Sequence, residues 1–277
     1  MLKFFWKIVS LARAVSNLYN TPQPFLAKSI LLRRIVRNRK RINCATELVE
    51  QLAMISALLR LPASVEGAVV ECGCYMGGTT ANLSLAAQLV NRKLYVFDSF
   101  QGLPEPREHD VRHLVMNIGE FHSYTKGAWC GPLEVVKANV AKYGAPEVCI
   151  FIEGYFEATL PSFSERVAFA YCDVDLRTSL QTCLHYLWPL LSPDGVLFSH
   201  EAHHLEVASL FYDPALWHGA APGFVGGGSG LGLLPMADGS FGSCLGYTVK
   251  SPSILIESME LGNQERYKMV LASTKSS

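Results

Sequence analysis

Apolar residues in the central part of the chain fall into short runs separated by longer amphipathic stretches. The short runs predict buried strands at 68–72, 93–98, 148–153, 167–173 and 195–199. Apolar residues at helical spacing predict helices between them, at 78–90, 132–143 and 176–191. This alternation is typical of an α/β fold with a mostly parallel sheet that has helices on both faces.

The N-terminal part of the chain follows a different pattern. Residues 2–17 place apolar side chains opposite polar ones at helical spacing, and residues 43–62 form another apolar helical run, which ends at Pro62. We therefore divide the chain into a basic, helical extension at 1–62 and a domain at 63–277 that contains the sheet.

Two segments of the larger domain are too long for ordinary connections. Residues 99–131 are rich in Pro, His and Gly, which is typical of a lid or a substrate-binding loop. We assign the same role to residues 213–245. In parallel sheets, ligands bind at the carboxyl ends of the strands. The residues expected to converge there are Glu71, Gly73, Asp98, Gly154, Asp173 and 199–201.

The formal charges sum to zero but are unevenly distributed. Ten Lys or Arg residues precede Glu47, the first acidic residue, and seven of them lie between Lys28 and Arg41. Such a segment could bind anionic lipid, nucleic acid, or the acidic remainder of the same chain or of a second copy. We favour the last of these and expect no nucleic-acid partner. The helix at 2–17 could pack on the domain, on a partner in a homo-oligomer, or on a membrane surface.

The eight cysteines are scattered, without paired C-x-x-C motifs, which is typical of thiols in a reducing compartment. The pattern indicates neither a secretory signal nor a membrane-spanning run. We therefore expect a cytoplasmic protein, with membrane contact only at its periphery.

A turn that contains glycine, ECGCYMGGTT at 71–80, closes the first predicted strand. A dinucleotide fingerprint counted from Gly73 would require glycine at Tyr75, and a P-loop would require lysine at Thr79. Both kinds of phosphate site are therefore excluded. The backbone N–H groups of the turn and the positive end of the following helix favour a carboxylate ligand, and Glu71 adds a negative charge beside it.

Asp98 ends the second predicted strand, 21 residues after Gly77. An acid at this place in a doubly wound sheet commonly binds the two hydroxyls of a ribose. A ligand with a carboxylate, an amine, a ribose and a cationic centre matches these groups. S-adenosylmethionine has all four.

Four motifs carry a resemblance to a known family: ECGCYMGG, YVFDSFQGLPEP, GYFEATLP and YCDVDLRTS. Over residues 45–201 the chain resembles the macrocin O-methyltransferases, which methylate sugar hydroxyls of macrolides and related natural products. The resemblance implies a class I, Rossmann-like methyltransferase fold, S-adenosylmethionine as cofactor and a divalent cation, commonly magnesium. The acceptor it implies is a small molecule or glycan: a sugar on a natural product or polysaccharide. Because the N-terminal helix could lie on a membrane surface, a lipid-linked glycan is a further candidate acceptor.

The resemblance also implies roles for individual residues. Those implied to bind the cofactor are Glu71, Gly73 and Gly77 at the methionine end, Tyr75 and Thr79 in the same turn, Asp98 and Ser99 at the ribose, and Gly154, Tyr155 and Phe156 near the adenine. Asp173 would bind the metal and act as the base on the sugar hydroxyl.

One departure from the family pattern concerns the metal. Where the family has two adjacent aspartates after the last parallel core strand, this chain has His200 and Glu201. With Asp173 they would form a mixed nitrogen and oxygen shell, which shifts the preference from magnesium towards manganese, iron or zinc. We favour an active enzyme with altered metal use. The alternative is a homologue that binds the cofactor but has lost methyl transfer.

Residues 200–204, HEAHH, also match the H-E-x-x-H motif of zinc proteases. That motif needs both histidines on one helix, whereas here it directly follows a predicted buried strand, so a zinc hydrolase is the weaker hypothesis. Close by, we interpret Asp175 as the cap of the helix that starts near Leu176. We interpret the histidines of the first long segment as solvated surface residues: His109, His113 and His122.

Overall fold

The computed structural model describes residues 2–116, 119–217, 222, 226–227 and 244–250. The helices are α1 (Leu2–Tyr19), α2 (Phe25–Arg39), α3 (Leu48–Arg60), α4 (Gly78–Leu89), α5 (Leu133–Tyr143), α6 (Phe156–Thr159), α7 (Arg177–Leu190), α8 (Leu205–Leu210) and α9 (Pro214–Trp217). The strands are β1 (Ala68–Cys72), β2 (Leu94–Asp98), β3 (Arg112–Val115), β4 (Glu120–Ser123), β5 (Cys149–Glu153), β6 (Val167–Cys172), β7 (Leu191–Ser199), β8 (Gly226–Gly227) and β9 (Gly246–Val249).

The main sheet has the strand order β5-β2-β1-β6-β7-β9-β8. Its first five strands are parallel, whereas β9 runs antiparallel to both β7 and β8. The structure thus confirms the predicted α/β architecture. The chain builds outwards in one direction from β1 to β2 and β5, and in the other through β6 and β7. The carboxyl ends of β1 and β6 are therefore the switch point at which such sheets bind ligands.

An apolar layer covers each face of the sheet. One layer consists of residues from α1 to α5 together with inward-facing strand residues such as Val69 and Phe169. The other consists mainly of α7 and α8 packed on residues such as Val70 and Ala170. Side chains of successive strand residues point to opposite faces, so β1 contributes to both layers. This packing fixes the carboxyl ends of the central strands.

The N-terminal helices pack on the same core as the sheet. Ala14 and Leu18 of α1, and Ile35 of α2, are buried in the layer that also contains Val69. A buried chain of amides links three helices, because Asn38 donates to Asn82, and Asn82 donates to Gln51 of α3. The predicted boundary at residue 62 thus falls between α3 and β1, and core residues on its two sides contact one another.

The predicted lid segments have different outcomes. Residues 99–131 contain the antiparallel hairpin of β3 and β4, and Val115 also forms an isolated bridge with His204. Most of the second segment, 213–245, lies outside the described residues. Across the described part of the chain, none of the helices has the length and apolar character needed to cross a bilayer.

Candidate active site

A cleft of about 240 Å³ opens at the carboxyl ends of the parallel strands. The predicted site residues that line it are Gly73, Tyr75, Asp98, Ser99, Tyr155, Phe156, Asp173, His200 and Glu201. The remaining predicted residues are close in sequence but are not part of its lining: Glu71, Gly77, Thr79 and Gly154. The structure therefore brings together the strand ends that were predicted to form the site. Part of the glycine turn lies behind the wall of the cleft.

Gly73 has a structural role at the switch point. Its φ angle is +82°, and a Cβ atom there would lie 1.8 Å from the carbonyl oxygen of Asp173. Only glycine adopts that backbone conformation without strain and also allows this approach. Gly73 thus lets the end of β1 touch the end of β6, which places the glycine turn directly beside Asp173.

Asp98 joins the turn after β1 to the end of β2. Its Oδ2 accepts the N–H of Cys74 at 2.7 Å, and its Oδ1 accepts the N–H of Phe100, also at 2.7 Å. Burial raises the pKa of Asp98, although these backbone bonds act in the opposite direction. The carboxylate still lines the cleft, and each oxygen keeps a lone pair for a ligand hydroxyl.

Glu71 is fully buried in β1 beneath the glycine turn. Neither of its carboxyl oxygens has a hydrogen-bond partner among the residues that the structure describes. Burial, assisted by the nearby carboxylates of Asp173 and Asp98, raises the pKa of Glu71 to about 8. The ligand-free protein therefore holds Glu71 mostly protonated at neutral pH, and a ligand with a cationic group in the cleft would favour its ionised form.

Asp173, His200 and Glu201 form a compact cluster at the carboxyl ends of β6 and β7. His200 Nδ1 lies 3.2 Å from Asp173 Oδ1 and 2.9 Å from Glu201 Oε1. Tyr171 donates its hydroxyl hydrogen to Asp173 Oδ2 at 2.9 Å. One ligand atom from each of the three residues lies within 4.8 Å of the others. Two carboxylates and an imidazole at this spacing fit a divalent ion, and they suit manganese, iron or zinc better than magnesium.

The charges of this cluster depend on one another. Burial alone would raise the pKa of Asp173, but His200 lowers it below its usual value. Burial would lower the pKa of His200, yet Asp173 and its other acidic neighbours raise it well above the usual value. Burial and Asp173 raise the pKa of Glu201 to about 7. Without an ion, Asp173 is thus ionised at neutral pH and His200 is the compensating cation.

Glu50, at the start of α3, is a residue of this site that sequence reasoning missed. Its Oε1 accepts the N–H of Cys244 at 2.6 Å, its Oε2 accepts the N–H of Glu47 at 2.7 Å, and Oε2 lies 3.5 Å from His200 Nε2. A carboxylate behind the Nε2 atom orients the ring so that Nδ1 faces Asp173 and Glu201. The sequence did contain a signal that could have identified Glu50, since it is an acidic residue inside the apolar run LVEQLAMIS. In the structure Glu50 is almost completely buried.

Asp175 does not cap α7, and that interpretation was wrong. Asp110 caps the helix instead: it accepts the backbone N–H of Thr178 at 3.1 Å and the Thr178 hydroxyl at 2.5 Å. Asp175 has a φ angle of +58° and lines the cleft, where burial and the charges of Glu201 and Asp173 raise its pKa well above the usual value. Asp175 is therefore a residue of the cleft lining and not of the helix end.

The histidines of the hairpin differ from the expectation. His109 is exposed, but His113 is completely buried, so a surface role for His113 was wrong. His122 is exposed at the edge of the cleft, where it joins His203, His204 and Tyr124 in the lining. Burial lowers the pKa of His203 to about 4 and that of His204 to about 2, so these two imidazoles are uncharged at neutral pH.

The HEAHH stretch lacks the arrangement of a zinc protease. Residues 201–203 form a turn after β7, and the next helix, α8, starts only at Leu205. His200 faces Asp173, whereas His204 Nδ1 lies 3.2 Å from the Tyr124 hydroxyl. The two histidines therefore do not share the face of one helix, which that motif requires.

Comparison with known proteins agrees with this geometry. The sequence model described as macrocin-O-methyltransferase (TylF) matches residues 41–208, more than half of the chain. No curated protein sequence matches the chain. The O-methyltransferase NovP superposes with a TM-score of 0.55 and 18% identity, covering 90% of this chain and 100% of its own. For CalS11, a calicheamicin methyltransferase, the TM-score is 0.53 and the identity 19%, covering 87% of this chain and 91% of its own.

At this level of identity the two structures show the fold, which is that of class I methyltransferases. Both cover nearly the whole chain, so the fold extends beyond the segment that the family model matches. The protein is a methyltransferase that belongs to the macrocin O-methyltransferase family.

Proposed function

We propose that this protein transfers the methyl group of S-adenosylmethionine to a sugar hydroxyl, with the help of a divalent cation. The observation that carries the proposal is the contact of the β1 and β6 ends at Gly73, which places the glycine turn beside Asp173. A cofactor on the turn and an acceptor at Asp173 would then share one cleft. NovP, an O-methyltransferase, and CalS11, a calicheamicin methyltransferase, have the same fold, which supports this class of reaction.

The cofactor half of the cleft has groups that suit each part of S-adenosylmethionine. The carboxyl of Glu71, behind the cleft lining, would act on its cationic end through space, and Asp98 has lone pairs for the ribose hydroxyls. Tyr155 and Phe156 supply aromatic surface at the end of β5 for the adenine. Together these groups would fix the cofactor along the strand ends.

S-adenosylmethionine supplies a methyl group on a sulfonium centre, which is electrophilic at carbon. In the transfer, the acceptor oxygen forms a bond to this carbon while the carbon–sulfur bond breaks, and the hydroxyl proton must leave. Asp173 is ionised and lines the cleft, so its carboxylate can receive that proton. Tyr171 holds the other carboxylate oxygen in place. The main contribution of the protein is thus to orient the acceptor hydroxyl towards the methyl group and to supply one proton acceptor.

The cation would be held by Asp173, His200 and Glu201, with Glu50 orienting the His200 ring. A cation bound there would lower the pKa of the acceptor hydroxyl and hold it in position. The opposite wall contains Tyr124, Trp129 and the uncharged imidazoles of His203 and His204. Aromatic and neutral polar groups suit a sugar ring better than a charged acceptor. A sugar on a natural product, a polysaccharide or a lipid-linked glycan would fit.

The direct test is methyl transfer itself. The protein is incubated with isotopically labelled S-adenosylmethionine and fractionated sugar-containing metabolites, and the labelled product is identified by mass spectrometry. We expect a methyl ether on a sugar hydroxyl. Tight cofactor binding without transfer to any acceptor, whatever ion is added, would favour the alternative of a homologue that has lost catalysis.

Replacement of Asp98 by alanine should weaken S-adenosylhomocysteine binding by roughly 1.5 to 3 kcal/mol, because it removes charge-assisted hydrogen bonds to the ribose. The measurement is isothermal titration calorimetry. Asp98 also holds two backbone N–H groups, so thermal unfolding of the variant must be measured in parallel. The matched control is Glu153→Ala, an exposed acid at the paired position of β5. Equal affinity of wild type and Asp98→Ala would remove Asp98 from the cofactor site.

Replacement of His200 by aspartate should change the metal preference. After chelation, we expect manganese to restore wild-type activity better than magnesium, and the variant to show the reverse order, because it exchanges a nitrogen ligand for an oxygen. Calorimetric titration with each ion gives a readout that does not depend on turnover. His109→Asp, an exposed histidine outside the cleft, is the matched control.

The replacement also leaves Glu50 without the N–H of the imidazole. The double variant His200→Asp/Glu50→Gln removes the repulsion between the new aspartate and the carboxylate of Glu50, and it should keep the shift towards magnesium. Full wild-type activity in excess chelator would contradict the proposed cation.

A further inference from the structure

The outward face of α2 is apolar in its first half. Leu26 and Ile30 are one turn apart and 69% and 51% exposed, and the neighbouring Phe25 is 72% exposed. The opposite face of the helix contains the buried Leu31 and Ile35. Large apolar side chains exposed side by side at this level indicate a surface that contacts something else.

The second half of the same face is basic. Arg33 and Arg37 continue the row of Leu26 and Ile30 at helical spacing, and all four are exposed. Lys40 and Arg41 follow directly and are exposed as well. Throughout the described part of the chain, none of the four basic residues Arg33, Arg37, Lys40 and Arg41 has an ion-pair partner.

Other basic residues of this segment donate hydrogen bonds to carbonyl groups of the protein, whereas Arg37 of the outward row lies over the ring of Tyr143, 5.7 Å from its centroid. Lys28 is buried and donates to the carbonyls of Tyr19 and Thr21 at the end of α1. Arg34 donates to two carbonyls at the end of α5. The structure thus uses some of the positive charge to fix α2 on the core and leaves the rest on the surface.

We propose that the face formed by Phe25, Leu26, Ile30, Arg33 and Arg37 docks on an anionic lipid bilayer. Apolar side chains beside unpaired basic ones are the two features that bind a helix to the interface of such a membrane. A symmetric contact with a second copy would place the same basic row against itself, and no acidic residue precedes Glu47 to balance it.

This face lies close to the cleft, which suggests a function for the docking. Arg41 lies just beyond α2, and Ala45 lines the cleft. The four peptide units that join them can span at most about 14 Å. Docking would therefore hold the cleft close to the lipid surface, where a membrane-attached glycan is presented. This last step rests on the proposed function, whereas the docking itself does not.

Vesicle sedimentation of the full-length protein tests the docking. We expect binding to phosphatidylcholine vesicles that contain phosphatidylglycerol, weak binding to phosphatidylcholine alone, and a loss of binding as salt is raised. Arg33→Gln/Arg37→Gln should weaken the partitioning about fivefold for each arginine removed. Leu26→Glu/Ile30→Glu should weaken it at least about tenfold by removing apolar contact. The control is Val111→Glu, since Val111 is 52% exposed in another part of the protein and should leave binding unchanged.

Three outcomes would overturn the inference: wild-type protein that stays in the supernatant with both lipids, binding that is equal for both lipids, or unchanged binding by the two double variants. Analytical ultracentrifugation of the same variants tests whether a second copy of the chain occupies this face instead. A wild-type dimer that dissociates in Leu26→Glu/Ile30→Glu would assign the face to a second copy. Calorimetry with S-adenosylhomocysteine on the same samples keeps the two proposals apart. A protein that binds vesicles without binding the cofactor would contradict the proposed function and leave the docking intact.

Discussion

Replacing Asp173 with asparagine is expected to lower the turnover of methyl transfer by about 100-fold or more. The substitution keeps the size of the side chain and its acceptor oxygen for the Tyr171 hydroxyl. It removes the negative charge that would receive the proton of the acceptor and that would hold the cation together with His200 and Glu201. Initial rates with labelled cofactor and an identified acceptor measure the effect.

The binding of S-adenosylhomocysteine distinguishes a catalytic effect from a structural one. Asp173→Asn should bind it nearly as tightly as wild type, because the proposed cofactor contacts lie on β1, β2 and β5. Asp194→Asn is the matched control, since Asp194 is an exposed aspartate in β7 and asparagine tolerates its φ angle of +61°. Turnover at the wild-type rate in Asp173→Asn would remove Asp173 as the base.

Replacing Glu71 with glutamine should stabilise the ligand-free protein at alkaline pH by several kcal/mol relative to wild type. The pKa of Glu71 is raised from 4.5 to about 8 in the folded protein. A raised pKa contributes stability that is fully present below pH 4.5 and is lost as the pH rises through about 8. The amide does not titrate, so the free energy of unfolding of the variant should exceed that of wild type increasingly across this window.

Urea unfolding of both proteins between pH 5 and pH 8.5 measures this difference, and comparing the two proteins cancels most of the titration of other groups. Glu165→Gln, an exposed glutamate, should run parallel to wild type. Saturating S-adenosylmethionine should reduce the difference, because a cationic ligand near Glu71 stabilises the ionised form. A difference that stays constant with pH would show that ionising Glu71 costs the fold nothing.

The sheet could be predicted because its central strands are short apolar runs that end at polar residues. β1 matches the predicted 68–72, and β6 ends at Cys172, one residue before the predicted end. The hairpin of β3 and β4 was not predicted, since its strands, RHLV and EFHS, mix polar and apolar residues and one of them is entirely exposed. Short paired strands outside a core have no strong hydrophobic pattern.

The site residues at strand ends could be predicted for the same reason, because topology alone brings strand ends together. The partners of those residues could not. Asp110 caps a helix that starts 67 residues later, so Asp175 received the wrong interpretation. Glu50 faces His200 from a helix that the sequence placed in a separate extension. Long-range contacts of single polar side chains leave no periodic signal.

The two attachments of Glu50 set an order for the folding of this protein. Its carboxylate is made early in synthesis, but the backbone N–H that Oε1 accepts belongs to Cys244, 194 residues later. Segments leave the ribosome from the N-terminus onwards, and contacts this far apart in sequence form late. The bond that fixes Glu50 through its Oε1 can therefore form only after residue 244 has been synthesised. The support of the His200 ring by Glu50 is thus completed late in folding, and a nascent chain that ends at β7 has the strands of the candidate site without the bond from Cys244 to Glu50.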